Sequence, residues 1–478
     1  MSTIENIVKN TSFLLVGRLS TKIISFFILL YIARYLGPDD FGKFSFVFAF
    51  VYFFAFIPDL GIHNILVREA AKEPANAGIL IGNATAIKIV LSLIAIFLAF
   101  FTINLMDYPI STKNALYLAS IGLLITNLSA FGIIYEIKLR MEYSALFSVT
   151  SRIIFLMLVL YGVLQNSTLL FFVFASISAD FVHNILMVVF SKRFVNVQFN
   201  FDYKLIKQIL HEALPIALAS VFVMIYFRVD ILMLSFLKND VDVGLYSAAY
   251  RFTEAFIFVP SILMTSMFPL MSKYFKESFN LFVYSYVKSF KYLFASGLIL
   301  AIIVSFLADV IILKVYGLEY SGSISALQIL IWATSIMFIN ILLSFTYISS
   351  GNQGVMAKLT AFAAFFNIAL NFIFIPSFSY NGAAISTMIT ELVVMVFGIY
   401  WINKNICHKS LFNEGVYPLI GVLIILLFYT MFKLYVNNFI LCAVSILIYI
   451  GVLYGTGWID SDDKNFVIKV INHLKTYL

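Results

Sequence analysis

The sequence predicts an all-α integral membrane protein of about fourteen transmembrane helices, and three observations carry that reading. Hydrophobic residues make up 62% of the 478-residue chain and charged residues only 12%, more apolar surface than a water-soluble fold of this length hides. The apolar residues fall into runs of about twenty, the length that a helix rising about 1.5 Å per residue needs to cross roughly 30 Å of hydrocarbon. Lysine and arginine gather in the polar stretches between alternate runs, the bias that orients membrane helices. Strands of a membrane barrel would be half as long as these runs, and every backbone polar group in lipid has to be paired, so the runs read as helices.

In order, the expected spans are residues 12–35, 41–66, 78–104, 115–137, 145–164 and 168–190, then a polar connection at 191–210. After it come 211–236, 244–270, 290–313, 322–350, 355–375, 381–402, 416–436 and 439–458. The first run carries Arg18 and Lys22 and leads at once into a second, unlike a cleavable signal peptide. With the amino terminus inside, the even-numbered loops hold Arg68, Lys72, Lys138, Arg140, Lys192 and Arg193 among many others, whereas the odd-numbered ones hold few, such as Lys113 and Lys238. Both termini are therefore expected on the cytoplasmic side of the cytoplasmic membrane.

The polar connection separates two similar halves. Gly42-Lys43-Phe44-Ser45 is echoed by Gly244-Leu245-Tyr246-Ser247, and Phe56-Ile57-Pro58 by Phe258-Val259-Pro260 at the same offset, each on the second helix of its half. Two echoes at one offset point to a duplicated six-helix bundle. Six is even, so both copies enter the membrane from the same side, as parallel repeats with a cavity between them. The expected organisation is a first lobe at 1–200, a second at 201–402, and two additional helices with a cytoplasmic tail at 403–478.

Several function classes are excluded by composition. Cys407 and Cys442 have no zinc spacing, and the five histidines contain no His-Glu-x-x-His pair, so neither metal nor other cofactor is expected. The net charge of +7 lies in loops between apolar runs and reads as membrane orientation, with no nucleic-acid partner. Gly37-Pro38-Asp39-Asp40-Phe41-Gly42-Lys43 has P-loop spacing as far as the lysine, but Phe44 follows instead of Ser or Thr, and the two aspartates would repel phosphate. Those aspartates read as solvated turn residues, not as a catalytic pair. The odd-numbered loops are short, which disfavours an outer-face glycosyltransferase or polymerase. The chain is not expected to be an enzyme. Trp332, Trp401 and Trp458 near the expected helix ends suggest an interfacial belt, and Pro58, Pro215, Pro260 and Pro269 suggest kinks.

Asn10-Thr11 leading to Gly17-Arg18, then Ala33-Arg34-Tyr35-Leu36-Gly37-Pro38 and Phe41-Gly42-Lys43-Phe44-Ser45, resemble the opening of the Wzx-type polysaccharide or O-antigen flippases. These are members of the multidrug/oligosaccharidyl-lipid/polysaccharide (MOP) exporter superfamily. The second half is similar too, in Glu212-Ala213-Leu214-Pro215, Arg228-Val229-Asp230 and Gly244 through Arg251. The resemblance implies a MATE-like, two-lobed flippase that moves a polyisoprenyl-(pyro)phosphate-linked oligosaccharide across the membrane by alternating access. It also implies lipid contact, H+ or Na+ as a coupling ion, and a polymerase or glycosyltransferase of the same pathway as a partner.

An ionisable group at mid-membrane costs about 2.5–3.5 kcal/mol on insertion scales, so it should face water or a partner. Arg18 and Lys22 share one face at i, i+4, and Lys88 and Arg152 add positive charge to the same half. With Arg228 and Arg251 of the second half, they are the candidate substrate-binding cations, suited to a phosphate group. Asp59, Asp180, Asp230, Glu254 and Glu391 are candidates for ion coupling or charge pairing. A structural alternative pairs Arg251 with Glu254 at i, i+3 and Lys88 with Asp180 at similar depth. The competing function is an ion-coupled exporter of drugs, whose cationic cargo would prefer acidic linings; the basic residues of the first half favour an anion.

Overall fold

A computed structural model describes residues 3–199, 202–433, 435–460 and 463. Among them every regular element is helical, as lipid requires. In chain order the helices are α1 (Thr3–Asp59), α2 (Ile62–Lys72), α3 (Ala77–Asn104), α4 (Ile110–Ile125), α5 (Ile133–Ile137), α6 (Met141–Leu164), α7 (Leu169–Ser191) and α8 (Tyr203–Leu237). They continue as α9 (Asp240–Phe256), α10 (Phe258–Glu277), α11 (Phe279–Val315), α12 (Ser323–Ser349), α13 (Gln353–Ile402), α14 (Phe412–Phe432) and α15 (Asn438–Gly455).

By length and composition, 12 stretches of the described residues are apolar enough to cross a membrane, where the sequence suggests about fourteen. The difference lies in two long stretches of 57 and 55 residues, Val16–Lys72 and Gln353–Cys407. Each contains a break: Gly37 at φ 72° inside α1 and Ser379 at φ 50° inside α13. Gly37 needs no Cβ there, and Pro38 follows with no N–H to offer the helix ladder.

The fourth expected span is also interrupted, because Thr126–Gly132 winds as a 3₁₀ helix between α4 and α5. Thr126 donates its hydroxyl to the Leu123 carbonyl at 2.8 Å and Ser92 of α3 donates to the same oxygen at 3.0 Å, occupying an acceptor that regular α-helical bonding would use. The polar connection ends where Asp202 caps α8, its carboxylate accepting from the Lys204 amide at 2.8 Å. The strand of chain before it lies against α3. A Cβ on Gly78 or Gly82 would stand 2.2 Å from the Asn196 carbonyl oxygen or 2.0 Å from that of Gln198, so glycines one turn apart make the groove.

By contacts the chain divides into one unit of residues 1–251, 315–320 and 360–383 and another of residues 252–314, 321–359 and 384–478. In the first, α1, α3, α4, α6 and α7 pack together, and Ile65, Leu66, Ile81, Tyr135 and Phe147 belong to one buried hydrophobic core. Its two echoed motifs meet: a Cβ on Gly42 would lie 1.7 Å from the Asp240 carbonyl oxygen, and one on Gly244 would lie 1.9 Å from that of Pro38.

In the second unit, Met264, Phe282, Tyr286, Phe338 and Tyr347 form one core, and α14 and α15 pack as a pair. Here the tail is anchored. Asp460 and Asp463 receive Lys288 of α11 at 2.7 and 2.8 Å, Lys291 bonds to both, and Trp458 lies under the Lys291 ammonium at 4.6 Å. Asp462, Lys464, Lys469 and Lys475 of the expected tail lie outside the described residues.

Candidate anion-binding cavity

Within the first unit a cavity of about 240 Å³ is lined from both sides of the polar connection. Leading into it from α1, Ser25 and Leu29 stand one turn apart before the Gly37 break, and Phe44, Phe48 and Tyr52 recur one turn apart after it. Arg152 and Phe155 of α6, Ser176 of α7, Arg228 of α8 and Arg251 of α9 complete the charged and aromatic wall. Three guanidiniums therefore border one small space. Arg228 lies over the Tyr52 ring at 5.7 Å and Arg152 over Phe155 at 6.0 Å, cation–π contacts that help to hold both guanidiniums at the wall.

Arg152 also donates to the Asp180 carboxylate at 2.7 Å, from α6 to α7. Its side chain remains 28% exposed, so the ion pair orients the guanidinium at the cavity wall without enclosing it. Ser45 is 3% exposed and its hydroxyl has no protein partner among the described residues. A buried hydroxyl in a cavity wall is a donor waiting for a guest.

The other sequence candidates fall elsewhere. Arg18 and Lys22 are exposed on the first stretch of α1 and do not line this cavity, although Ser25, one turn past Lys22, does. Lys88 is 3% exposed and pairs with Asp59 at 2.9 Å instead of with Asp180, which Arg152 occupies. Asp180 thus orients Arg152 of the cavity wall, and Asp59 and Lys88 form a separate pair in which only the lysine is buried. The apparent P-loop starts at the Gly37 break and runs on as helix within α1, with Lys43 held by Asp39 and Asp40, the latter at 2.9 Å.

Asp230, 4% exposed, forms a second polar centre in the same unit. It accepts from Tyr246 at 2.8 Å and from the Asn371 amide at 2.6 Å, and that amide also donates to Asn367 at 3.0 Å. A carboxylate among carboxamide oxygens and a phenol offers hard oxygen ligands, yet among the described residues no three His, Cys, Asp or Glu side chains form a metal cluster. The sequence points to Asp230 but not to Asn367 and Asn371, for which a spacing of one helical turn is the available signal. In the second unit Glu391 is 2% exposed and accepts from Asn340 at 2.6 Å, and Glu254 is half-buried.

Comparison with known proteins bears on this arrangement. A family model described as polysaccharide biosynthesis protein matches residues 7–275, and a second, MatE, matches residues 215–373. The capsular polysaccharide biosynthesis protein CapF of Staphylococcus aureus is 23% identical over 409 residues, covering 84% of this chain and 100% of CapF. Among solved structures, the lipid II flippase MurJ in an inward closed conformation superposes with a TM-score of 0.75 at 16% identity, covering 92% of this chain and 98% of MurJ. An inward-facing multidrug resistance MATE transporter of the MOP superfamily gives 0.64 at 15% identity, over 80% of this chain and 95% of the transporter. The fold is therefore that of the MurJ and MATE proteins.

Proposed function

Since the chain belongs to the polysaccharide biosynthesis protein family, we propose that it is a flippase that carries a polyisoprenyl-(pyro)phosphate-linked oligosaccharide across the cytoplasmic membrane by alternating access. The relatives are flippases and transporters, not enzymes. The observation that carries the substrate reading is the cavity bordered by Arg152, Arg228 and Arg251. A phosphate or diphosphate leaving water needs fixed counter-charge and directed donors, and planar guanidiniums supply both. Tyr52, Phe44 and Phe48 give apolar faces against which sugar rings can lie, and the Ser45 hydroxyl adds a hydrogen-bond partner. The prenyl chain has no need of this cavity, because it can stay in lipid. In this reading Arg18 and Lys22, exposed on the same helix as Ser25, attract the headgroup before it is bound.

Asp230 with Asn367 and Asn371 is the proposed coupling centre for H+ or Na+, and Glu254 and Glu391 of the other unit are further candidates for ion coupling or charge pairing, Glu391 accepting a hydrogen bond from Asn340. Termini in the cytoplasm and a functional link to a polymerase or glycosyltransferase complete the proposal. A drug exporter of organic cations would face electrostatic repulsion at the three arginines.

The test is a reconstituted assay that follows a labelled polyprenyl-diphosphate oligosaccharide between leaflets. Arg152→Ala and Arg228→Ala should each lower its rate at least tenfold, with protein abundance unchanged. Undiminished translocation in the double variant would overturn the anion-cavity reading.

A further inference from the structure

Where α1 gives way to α2, four titratable side chains from four elements converge. The chain turns through Leu60 at φ 40° and Gly61 at φ 76°, so the join is a defined corner rather than a bent helix. Asp59 precedes the corner and pairs with Lys88 of α3 at 2.9 Å. His63 follows it, with Nε2 at 3.4 Å from the Glu136 carboxylate of α5. Lys88 also reaches Ser129 at 3.4 Å, on the 3₁₀ stretch that leads into α5.

Charge counting gives the chemistry. Two carboxylates, Asp59 and Glu136, share one ammonium, Lys88, so the group carries one excess negative charge while His63 is neutral. A single proton taken from water onto the imidazole lone pair makes the set neutral and turns the His63–Glu136 contact into an ion pair. The cations of α2 itself are engaged: Arg68 bonds to Glu69 and to Glu212 of α8, and Lys72 bonds to Glu69 at 2.9 Å. None of these replaces the missing positive charge beside Glu136.

We propose that His63, Glu136, Asp59 and Lys88 form a proton-binding site whose occupancy fixes α2 against α5. His63, Glu136 and Asp59 are 39%, 35% and 45% exposed while Lys88 is 4% exposed, so the imidazole can be reached from outside the protein and the ammonium cannot. The proton is therefore taken up at His63, while the buried Lys88 ammonium stays held by Asp59. α2 is suited to respond. Its apolar face of Ile62, Ile65, Leu66 and Ala70 is buried while its other face is polar, so it can loosen as an 11-residue unit at the Leu60–Gly61 corner. Its Arg68 also clasps Glu212 near the start of α8, which extends the effect of one proton to the helix carrying Arg228 and Asp230. The consequence for transport rests on the flippase reading; proton binding itself does not.

The experiment is hydrogen–deuterium exchange of the full chain in lipid nanodiscs from pH 5.5 to 8, corrected for the intrinsic pH dependence of exchange, reading the amides of residues 62–72. Wild-type protection should fall about tenfold as pH rises, and it should become flat in His63→Gln and in Glu136→Gln. Protection that does not change with pH in the wild type, or that keeps its full pH dependence in His63→Gln, overturns the proposal. The wild-type measurement alone is decisive if either variant fails to fold. A chain that moves no lipid-linked sugar yet shows the pH-dependent protection defeats the flippase reading only; one that transports without it defeats the proton site only.

Discussion

Removing the Asp463 carboxylate should loosen the segment that carries Trp458 and Asp460 from α11. Asp463 is 5% exposed and accepts from Lys288 at 2.8 Å, from Tyr292 at 2.6 Å and from Lys291, itself 5% exposed. Loss of one partner from a buried pair costs about 3–5 kcal/mol when the other is left uncompensated. In Asp463→Ala, Asp460 remains at 3.2 Å from Lys291 and 2.7 Å from Lys288, so the expected cost is lower, about 2–3 kcal/mol. That corresponds to a rise of roughly 30- to 150-fold in local opening, read as faster amide exchange at residues 456–463 while the spans stay protected. The same site gives a pH dependence with a definite sign. Burial pushes the Asp463 carboxyl up, but hydrogen bonds from Lys288, Lys291 and Tyr292 overcome it and hold the group well below the usual carboxylate range. A carboxyl lowered on folding stabilises the docked state fully above its unfolded value, near 3.9, and loses that contribution as pH falls toward the folded value. Tail protection should therefore be constant from pH 8 to about 5 and decline below about 4. Unchanged exchange in Asp463→Ala, or an acid-induced release that persists in full in Asp460→Asn/Asp463→Asn, would refute the account.

Two other perturbations test the first unit. Asp59→Ala leaves the Lys88 ammonium buried without its carboxylate, whereas Lys88→Met leaves a carboxylate that is 45% exposed and can be hydrated; thermal unfolding in detergent should therefore show the larger drop for Asp59→Ala, with Asp59→Ala/Lys88→Met milder than Asp59→Ala alone. Gly244→Ala would set a Cβ 1.9 Å from the Pro38 carbonyl oxygen, and since backbone must move to relieve it, the melting temperature should fall by several degrees, with no comparable effect from Gly451→Ala, where the added Cβ meets nothing.

What was legible in the sequence was whatever depends on length and local spacing. An apolar run announces its own helix, and the segment ends at 35 and 375 anticipate the breaks at Gly37 and Ser379 because Pro38 and Pro376 interrupt the apolar pattern there. The early start of α8 was signalled by Asp202, a capping residue ahead of the apolar run. The 3₁₀ stretch at 126–132 was not legible, since it depends on Ser92 of another helix sharing the Leu123 carbonyl with Thr126. Ion pairs divided the same way. Lys43 with Asp39 and Asp40 follows from spacing along one helix, but whether Asp180 serves Lys88 or Arg152 depends on how α3, α6 and α7 rotate against one another, and sequence depth alone favoured the wrong cation.

That assignment also separates structural cations from those fit to meet a ligand. Lys88 has one nitrogen, 4% side-chain exposure, and contacts to Asp59 and Ser129, so a guest would have to break the pair to reach it. Arg152 makes its ion pair through one terminal nitrogen, and a guanidinium carries five N–H donors in a plane. It can therefore remain bound to Asp180 and still present donors along the cavity wall, where Arg228 and Arg251 also lie. An anion entering this space meets cations already held in place by Asp180, Tyr52 and Phe155, so little side-chain freedom remains to be lost when it binds. Being paired does not disqualify an intramembrane arginine as a ligand contact; burial of all its donors does, and on that criterion Lys88 leaves the candidate site while Arg152 stays.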